Sequence, residues 1–227
     1  MFKAITFDCF GTLLDWRKGQ KRVLQQFPTL RAHGGLLEQI ISTRGQLEME
    51  LEAAPWQPYQ DILEKSITRA VAIVCNEILT PTEARSFADG QLGWPAYADS
   101  RPALLRLADQ YPLGLLSNCD EQTLKLCAFK HLKDVPIALF ASSESLRSYK
   151  PHRAHWGAAL AEFGCDPHEI LHVSFSPEYD LAPASELGFS LCFIAREAEH
   201  PPSDLHIHMQ AADIAALADQ LPANQPT

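Results

Sequence analysis

Several residues suited to chemistry stand at the ends of short apolar runs. The first run ends in Asp8, followed by Cys9-Phe10-Gly11-Thr12. An aspartate at the C-terminal tip of a buried strand lies where an open α/β sheet keeps its active site. A carboxylate held there can attack carbon or phosphorus as a nucleophile. The same aspartate could instead cap the glycine turn that follows. Further along, a run at 113–116 meets Ser117-Asn118, a hydroxyl and an amide that also suit a helix N-cap. Ser148-Tyr149-Lys150-Pro151 offers an ammonium that would hold a nearby carboxylate ionised and balance developing negative charge. A run at 170–173 passes into Ser174-Phe175-Ser176, with Asp180 beyond.

These residues need a sheet to bring them together. Short apolar runs predict strands at 3–8, 113–117, 136–141, 170–174 and 190–194, each apolar enough to be buried on both faces. Helices are expected near 121–130, 153–163 and 181–187, which makes βα units around a parallel sheet. A last amphipathic helix is expected over 211–221, and 224–227 should fray.

Residues 16–95 read differently. Helical periodicity recurs near 18–27, 35–53, 57–79 and 81–90, punctuated by Pro55, Pro58, Pro81 and Pro95. The expectation is a helical cap over 16–95, inserted into a core made of 1–15 and 96–227, with Gly93-Trp94-Pro95 as the return. Leu37, Ile40, Ile41, Leu47 and Leu51 form an apolar stripe, and Arg44 falls on it. An arginine on a buried stripe needs an anionic partner or must reach water. A substrate carboxylate, an acid of the core and a stripe edge in water all fit the pattern.

Composition narrows the class. The chain has 227 residues, 46% hydrophobic and 21% charged, as ordinary globular proteins do. Its net charge of −9 argues against nucleic acid or an anionic membrane as main partner. It leaves room for an anionic substrate in a locally basic pocket. No apolar run approaches the roughly 20 residues of a membrane span. The first strand begins by residue 3, which leaves no room for a signal peptide and favours the cytoplasm. The six cysteines, among them Cys9 and Cys119, lack a Cys-x-x-Cys pair and read as reduced, packed thiols. His200, His206 and His208 have no acidic or cysteine partner at ligand spacing.

In order, the four segments resemble the motifs of the haloacid dehalogenase-like (HAD) hydrolases, over nearly the whole chain. The first motif of HAD phosphatases is Asp-x-Asp-x-Thr, nucleophile first and general acid second. Asp8 and Thr12 match it, but Phe10 replaces the acid. An aromatic there resembles the type II 2-haloacid dehalogenase branch, which usually has Tyr. A phenyl ring cannot protonate a leaving alkoxide, whereas a halide leaves without a proton. Ser117-Asn118 resembles the second motif of that branch and Lys150-Pro151 the third, with Trp156 where many dehalogenases place a Tyr. The fourth motif of phosphatases carries acids that hold Mg²⁺. Here Phe175 replaces the first of them and Asp180 remains. Ser174 and Ser176 resemble the hydroxyl and amide residues of dehalogenases, in a run one residue longer than their common version.

The resemblance implies an α/β protein with a Rossmann-like HAD core and an all-helical cap. It further implies an (S)-2-haloacid dehalogenase that works without metal. Asp8 would displace halide from a small 2-haloacid, and water would hydrolyse the resulting ester to a 2-hydroxy acid. Asp180 with Lys150 would orient or activate that water. Thr12, Ser117, Asn118 and Ser174 would hydrogen-bond the nucleophile and the substrate carboxylate. Arg44 would bind that carboxylate or the halide. Phe10, Phe175 and Trp156, with Cys9 and Ser176, would line the pocket. Three alternatives stay open: a Mg²⁺-dependent HAD phosphatase, a hydrolase that opens a strained ring on a small carboxylic acid, and a HAD-fold binding protein without turnover. The expected partner is a small organic acid anion, with no nucleic acid and no membrane, and the resemblance allows a homodimer.

Overall fold

A computed structural model describes residues 1–196, 200, 201, 203 and 205–221. Residues 224–227, expected to fray, lie outside that set. The chain divides into two compact units, Met1–Leu14 with Ala96–Thr227, and Asp15–Pro95.

The first unit is built on β1 (Ala4–Asp8), β2 (Leu113–Ser117), β3 (Ile137–Ser142), β4 (Ile170–Ser174), β5 (Ser190–Ile194) and β6 (Met209–Ala211). They form one six-stranded sheet in the order β3-β2-β1-β4-β5-β6, and every pairing is parallel. Every residue of β1, β2, β4 and β5 is buried. That is why these strands read as unbroken apolar runs. The strand order reverses at β1, so the loops leaving β1 and β4 diverge and open a crevice at their C-terminal ends. Asp8 pairs with Leu116 of β2, and Thr6 pairs with His172 of β4.

Helices α5 (Ser100–Ala108), α6 (Glu121–His131), α7 (Ser143–Leu146), α8 (Ala154–Phe163), α9 (Ala182–Glu186) and α10 (Ile214–Gln220) complete this unit. Trp156, Ala159, Leu181 and Ala184 pack in one core cluster with Ala4, Leu116, Leu191 and Phe193 of the sheet. The strand β6 and helices α5 and α7 have no counterpart in the sequence reading. Met209-Gln210-Ala211 is too short and mixed to signal a strand. The last helix starts at Ile214 rather than 211, because Asp213 is its N-cap and accepts from the Ala216 N–H at 2.8 Å.

The second unit contains α1 (Trp16–Leu24), α2 (Leu37–Glu52), α3 (Tyr59–Cys75) and α4 (Pro81–Asp89). Asp15, expected in the core, belongs here as N-cap of α1, its carboxylate accepting from the Lys18 N–H at 2.9 Å. Helix α3 stops at Cys75 instead of 79 because Asn76 turns left-handed, at φ 55°. A Thr80–Glu83 capping box with Pro81 in the first turn starts α4. Gly19 packs flat on Trp94, where a Cβ would fall 2.3 Å from the indole. Among the described residues no helix is long and apolar enough to cross a membrane.

Candidate active site

The site begins where β1 ends. After Asp8 the chain folds back at once: the Leu13 and Leu14 N–H groups both donate to the Cys9 carbonyl, at 2.9 and 3.0 Å. Gly11 makes this turn possible at φ +103°, and a Cβ there would lie 2.1 Å from the Phe175 ring. The turn returns Thr12 to Asp8, so that its hydroxyl donates to Asp8 Oδ2 at 2.9 Å. Thr12 Oγ1 also accepts from the Phe175 N–H at 3.2 Å, which joins the loops after β1 and β4. The Thr12 carbonyl accepts from Arg196 Nε at 3.0 Å, and Arg196 forks onto both oxygens of Asp99 at 2.8 Å.

Lys150 reaches the same point from the loop after α7. Its Nζ donates to Asp8 Oδ1 at 2.8 Å, to Asp180 Oδ1 at 2.8 Å and to the Leu116 carbonyl at 3.1 Å. All three ammonium protons therefore have acceptors. Lys150-Pro151 is a cis peptide. Asp180 Oδ1 accepts a second bond from His172 Nε2 at 3.1 Å, and Oδ2 accepts from the Ser174 hydroxyl at 3.0 Å. The Ser174 hydroxyl in turn accepts from the Ser176 N–H at 3.0 Å.

Asp180 lies in a π-turn over Pro177–Leu181, closed by Leu181 N–H donating to the Ser176 carbonyl at 3.2 Å. The wider turn holds one more residue than an α-turn. Asp180 still arrives at Lys150.

The trio is almost dry: Asp8 is 6% exposed, Lys150 3% and Asp180 1%. Burial opposes the Lys150 charge, but Asp180 and Asp8 outweigh it and hold the ammonium protonated. Burial also pushes Asp180 up, yet Lys150 and His172 prevail and hold its carboxyl down at about 2. Asp8 goes the other way: burial raises it, Asp180 adds to the rise, and Lys150 only partly offsets them.

Comparison with known proteins shows the family. The family model of the haloacid dehalogenase-like hydrolases matches residues 2–188. The chain belongs to that family. It is 26% identical over 199 residues to an (S)-2-haloacid dehalogenase of Pseudomonas putida, covering 86% of this chain and 85% of the relative. It is 28% identical over 200 residues to an (S)-2-haloacid dehalogenase of Xanthobacter autotrophicus, covering 86% of this chain and 76% of the relative. Among solved structures, one dehalogenase superposes with a TM-score of 0.87 at 21% identity, covering 98% of each chain. The L-2-haloacid dehalogenase of X. autotrophicus superposes at 0.82 and 19% identity, over 96% of this chain and 98% of that one. At such identities the superpositions speak for the fold.

For a HAD hydrolase, the placement of the expected residues is uneven. Asp8, Thr12, Lys150, Ser174 and Asp180 form one bonded cluster. Asn118 joins it through the Lys150 main chain. The Ser117 hydroxyl donates to Cys119 Sγ at 3.3 Å. The Cys9 thiol is buried, and burial pushes it well above the ordinary thiol range. Trp156 is fully buried in the core and meets the His172 ring edge-on at 5.6 Å. Phe10 and Phe175 stay half-buried. Ser176 is buried and caps the π-turn, accepting from the Tyr179 N–H at 3.3 Å.

Arg44 sits in the helical unit, 2% exposed, and its Nη2 donates to Glu48 Oε2 at 2.7 Å. That acid lies one turn on along α2 itself, not in the core unit. The Tyr59 hydroxyl donates to the other Glu48 oxygen. Among the described residues, Arg44 Nε and Nη1 have no hydrogen-bond partner.

Two histidines escaped the sequence reading. His155 Nε2 bonds to the Ser117 carbonyl at 3.1 Å, and burial, with the Lys150 charge, holds its ring down at about 3. His172 bonds to Asp180 and, through Nδ1, to Thr6 Oγ1 at 2.9 Å. Its position inside an apolar run gave no signal. His208 Nδ1 accepts from the Leu191 N–H at 3.1 Å, a structural bond.

A divalent cation fits this donor set poorly. The Lys150 ammonium already lies between Asp8 and Asp180, and phenyl rings stand at 10 and 175 where phosphatases carry acids. Among the described residues no group of three His, Cys, Asp or Glu side chains is placed to hold a metal.

Proposed function

We propose that this chain is an (S)-2-haloacid dehalogenase acting without metal through Asp8. The carrying observation is the buried bridge in which Lys150 Nζ holds Asp8 and Asp180 at 2.8 Å each. It supplies a nucleophile and a second carboxylate for water, with no acid at position 10 for a leaving alkoxide.

In the first step an Asp8 oxygen attacks C2 of the haloacid from behind. The C–O bond forms as the C–X bond breaks, and halide leaves with the electron pair. In the second step water adds to the Asp8 carboxyl carbon and gives a proton to Asp180. The bond from that carbon to the ester oxygen then breaks. The alkoxide takes the proton back from Asp180 and leaves as the 2-hydroxy acid, and the new Asp8 carboxyl group loses its remaining proton to solvent. Asp8 regains a carboxylate carrying one oxygen from water. Lys150 balances the charge at both stages. Thr12 orients Asp8 and Ser174 orients Asp180. The rings of Phe10 and Phe175 supply apolar walls that keep water from the first step. The unpartnered nitrogens of Arg44 suit a carboxylate or a halide, the role the family resemblance gives it. Reduced thiols and a small acid substrate suit the cytoplasm.

The test is halide release from short 2-haloacids, both enantiomers, in excess chelator. Release that survives chelation and disappears in Asp8→Asn is the expected result. Turnover only with added Mg²⁺ on phosphoesters, or only on strained-ring acids, overturns the dehalogenase reading. No turnover on any of these leaves a binding protein.

A further inference from the structure

His172 is fully buried in β4 and has no part in the steps above. A Leu or Val would fill such a site without the cost of burying two ring nitrogens. Both nitrogens are used: Nε2 meets Asp180 Oδ1 at 3.1 Å and Nδ1 meets Thr6 Oγ1 at 2.9 Å. A carboxylate only accepts, so Nε2 carries the proton toward Asp180, and in the neutral ring Nδ1 accepts from the Thr6 hydroxyl. Thr6 stands opposite His172 in the β1–β4 register, and Trp156 of α8 packs against the ring at 5.6 Å and 78°. The ring is thus held at three points, and it holds Asp180. Among the described residues, Asp8, Lys150 and His155 are further charged or titratable groups near this chain of bonds.

We propose that His172 is a positioning residue for the second half-reaction, aiming the Asp180 carboxylate through a Thr6–His172–Asp180 chain of hydrogen bonds. This rests on the reading that Asp180 serves the attacking water. Lys150 is shared between two carboxylates, and its pull changes when Asp8 becomes a neutral ester. His172 and Ser174 do not touch Asp8, so their hold on Asp180 survives that change. Loss of His172 therefore slows ester hydrolysis and spares halide displacement.

Three variants test this. His172→Phe keeps a planar ring and removes both bonds, and His172→Gln keeps an N–H toward Asp180. Thr6→Val removes only the far anchor and serves if the Phe variant does not fold. Rapid-mixing halide measurements on His172→Phe should give a burst of about one halide per site, then turnover slowed by up to about 100-fold, the cost of a small misplacement. Intact-protein mass spectrometry should show the ester accumulating. Gln should restore most of the turnover, and Thr6→Val should accumulate less ester than Phe. Wild-type turnover in folded His172→Phe overturns the proposal. So does equal slowing of both steps without adduct or rescue.

A substrate-free arm separates this from the functional reading. The Asp180 carboxyl ¹³C resonance should titrate higher in His172→Phe than in wild type, with Gln between. An unchanged titration overturns the proposal even if wild type releases no halide. Absence of halide release from wild type sinks the dehalogenase reading alone.

Discussion

Asn118 grips Lys150 by its main chain: its Oδ1 accepts from the Lys150 N–H at 2.7 Å, and its Nδ2 donates to the Lys150 carbonyl at 3.3 Å. An amide is the only uncharged side chain of this length that both donates and accepts. Asn118→Ala frees the loop that aims the ammonium. We expect stability to fall by roughly 1–3 kcal/mol and turnover by about 10–100-fold. Urea unfolding alongside kcat checks both. Unchanged kcat would mean Lys150 is held by its ion pairs alone.

Lys150→Met leaves Asp8 and Asp180 buried without their cation. Breaking a buried pair from one side costs about 3–5 kcal/mol. One carboxyl should then hold a proton near neutrality. The folded state binds that extra proton, so relative to the wild type the variant gains stability as pH falls from 7 to 5. Denaturant midpoints at the two pH values should move in that direction, and halide release should be lost.

The wild type has the opposite acid-side slope. His155 is held at about 3 against an ordinary 6.5, and Asp180 at about 2 against 3.8. In both cases the unfolded chain binds the proton first. His155 therefore costs stability as pH falls from 6.5 toward 3, and Asp180 as it falls from 3.8 toward 2. Between pH 7 and 4 the His155 share is on the order of 3 kcal/mol. His155→Gln should flatten the decline between pH 6.5 and 4, as read by urea titrations. A decline of wild-type steepness in that variant would assign the effect elsewhere.

Gly11→Ala meets two costs, the positive φ of +103° and the Phe175 ring 2.1 Å from the new Cβ. Together they should destabilise by about 2–4 kcal/mol. The double variant Gly11→Ala/Phe175→Ala relieves the clash but not the backbone strain. Its stability should exceed the sum of the two single effects, with the coupling read from a double-mutant cycle.

Trp156→Phe separates core from pocket. A core position should lose stability, by roughly 1–3 kcal/mol for the lost volume, with KM unchanged. A raised KM at unchanged stability would return Trp156 to the pocket wall.

The four central strands were legible because burial on both faces demands apolar runs, and the run at 170–174 is apolar enough to signal a strand despite His172. The edge strand β6 was not, because three mixed residues follow their neighbour β5 rather than a pattern of their own. Asp8, Lys150 and Asp180 were legible from residue type and order. Their common bridge was not: Lys150 is 142 residues from Asp8, and only strand order brings them to one point. The Glu48 partner of Arg44 lay at helical spacing in plain view.

Sequence alone determined the α/β class, the strand ends that carry the acids, and an insertion rich in helix. These follow from local periodicity and residue chemistry. Tertiary structure decided which groups became partners. The Thr6–His172 bond depends on parallel register, the reach of Asp180 on a π-turn, and the position of Trp156 on core packing. Such pairings are set by how strands and helices stack, and a linear pattern does not encode the distance between residues far apart in the chain.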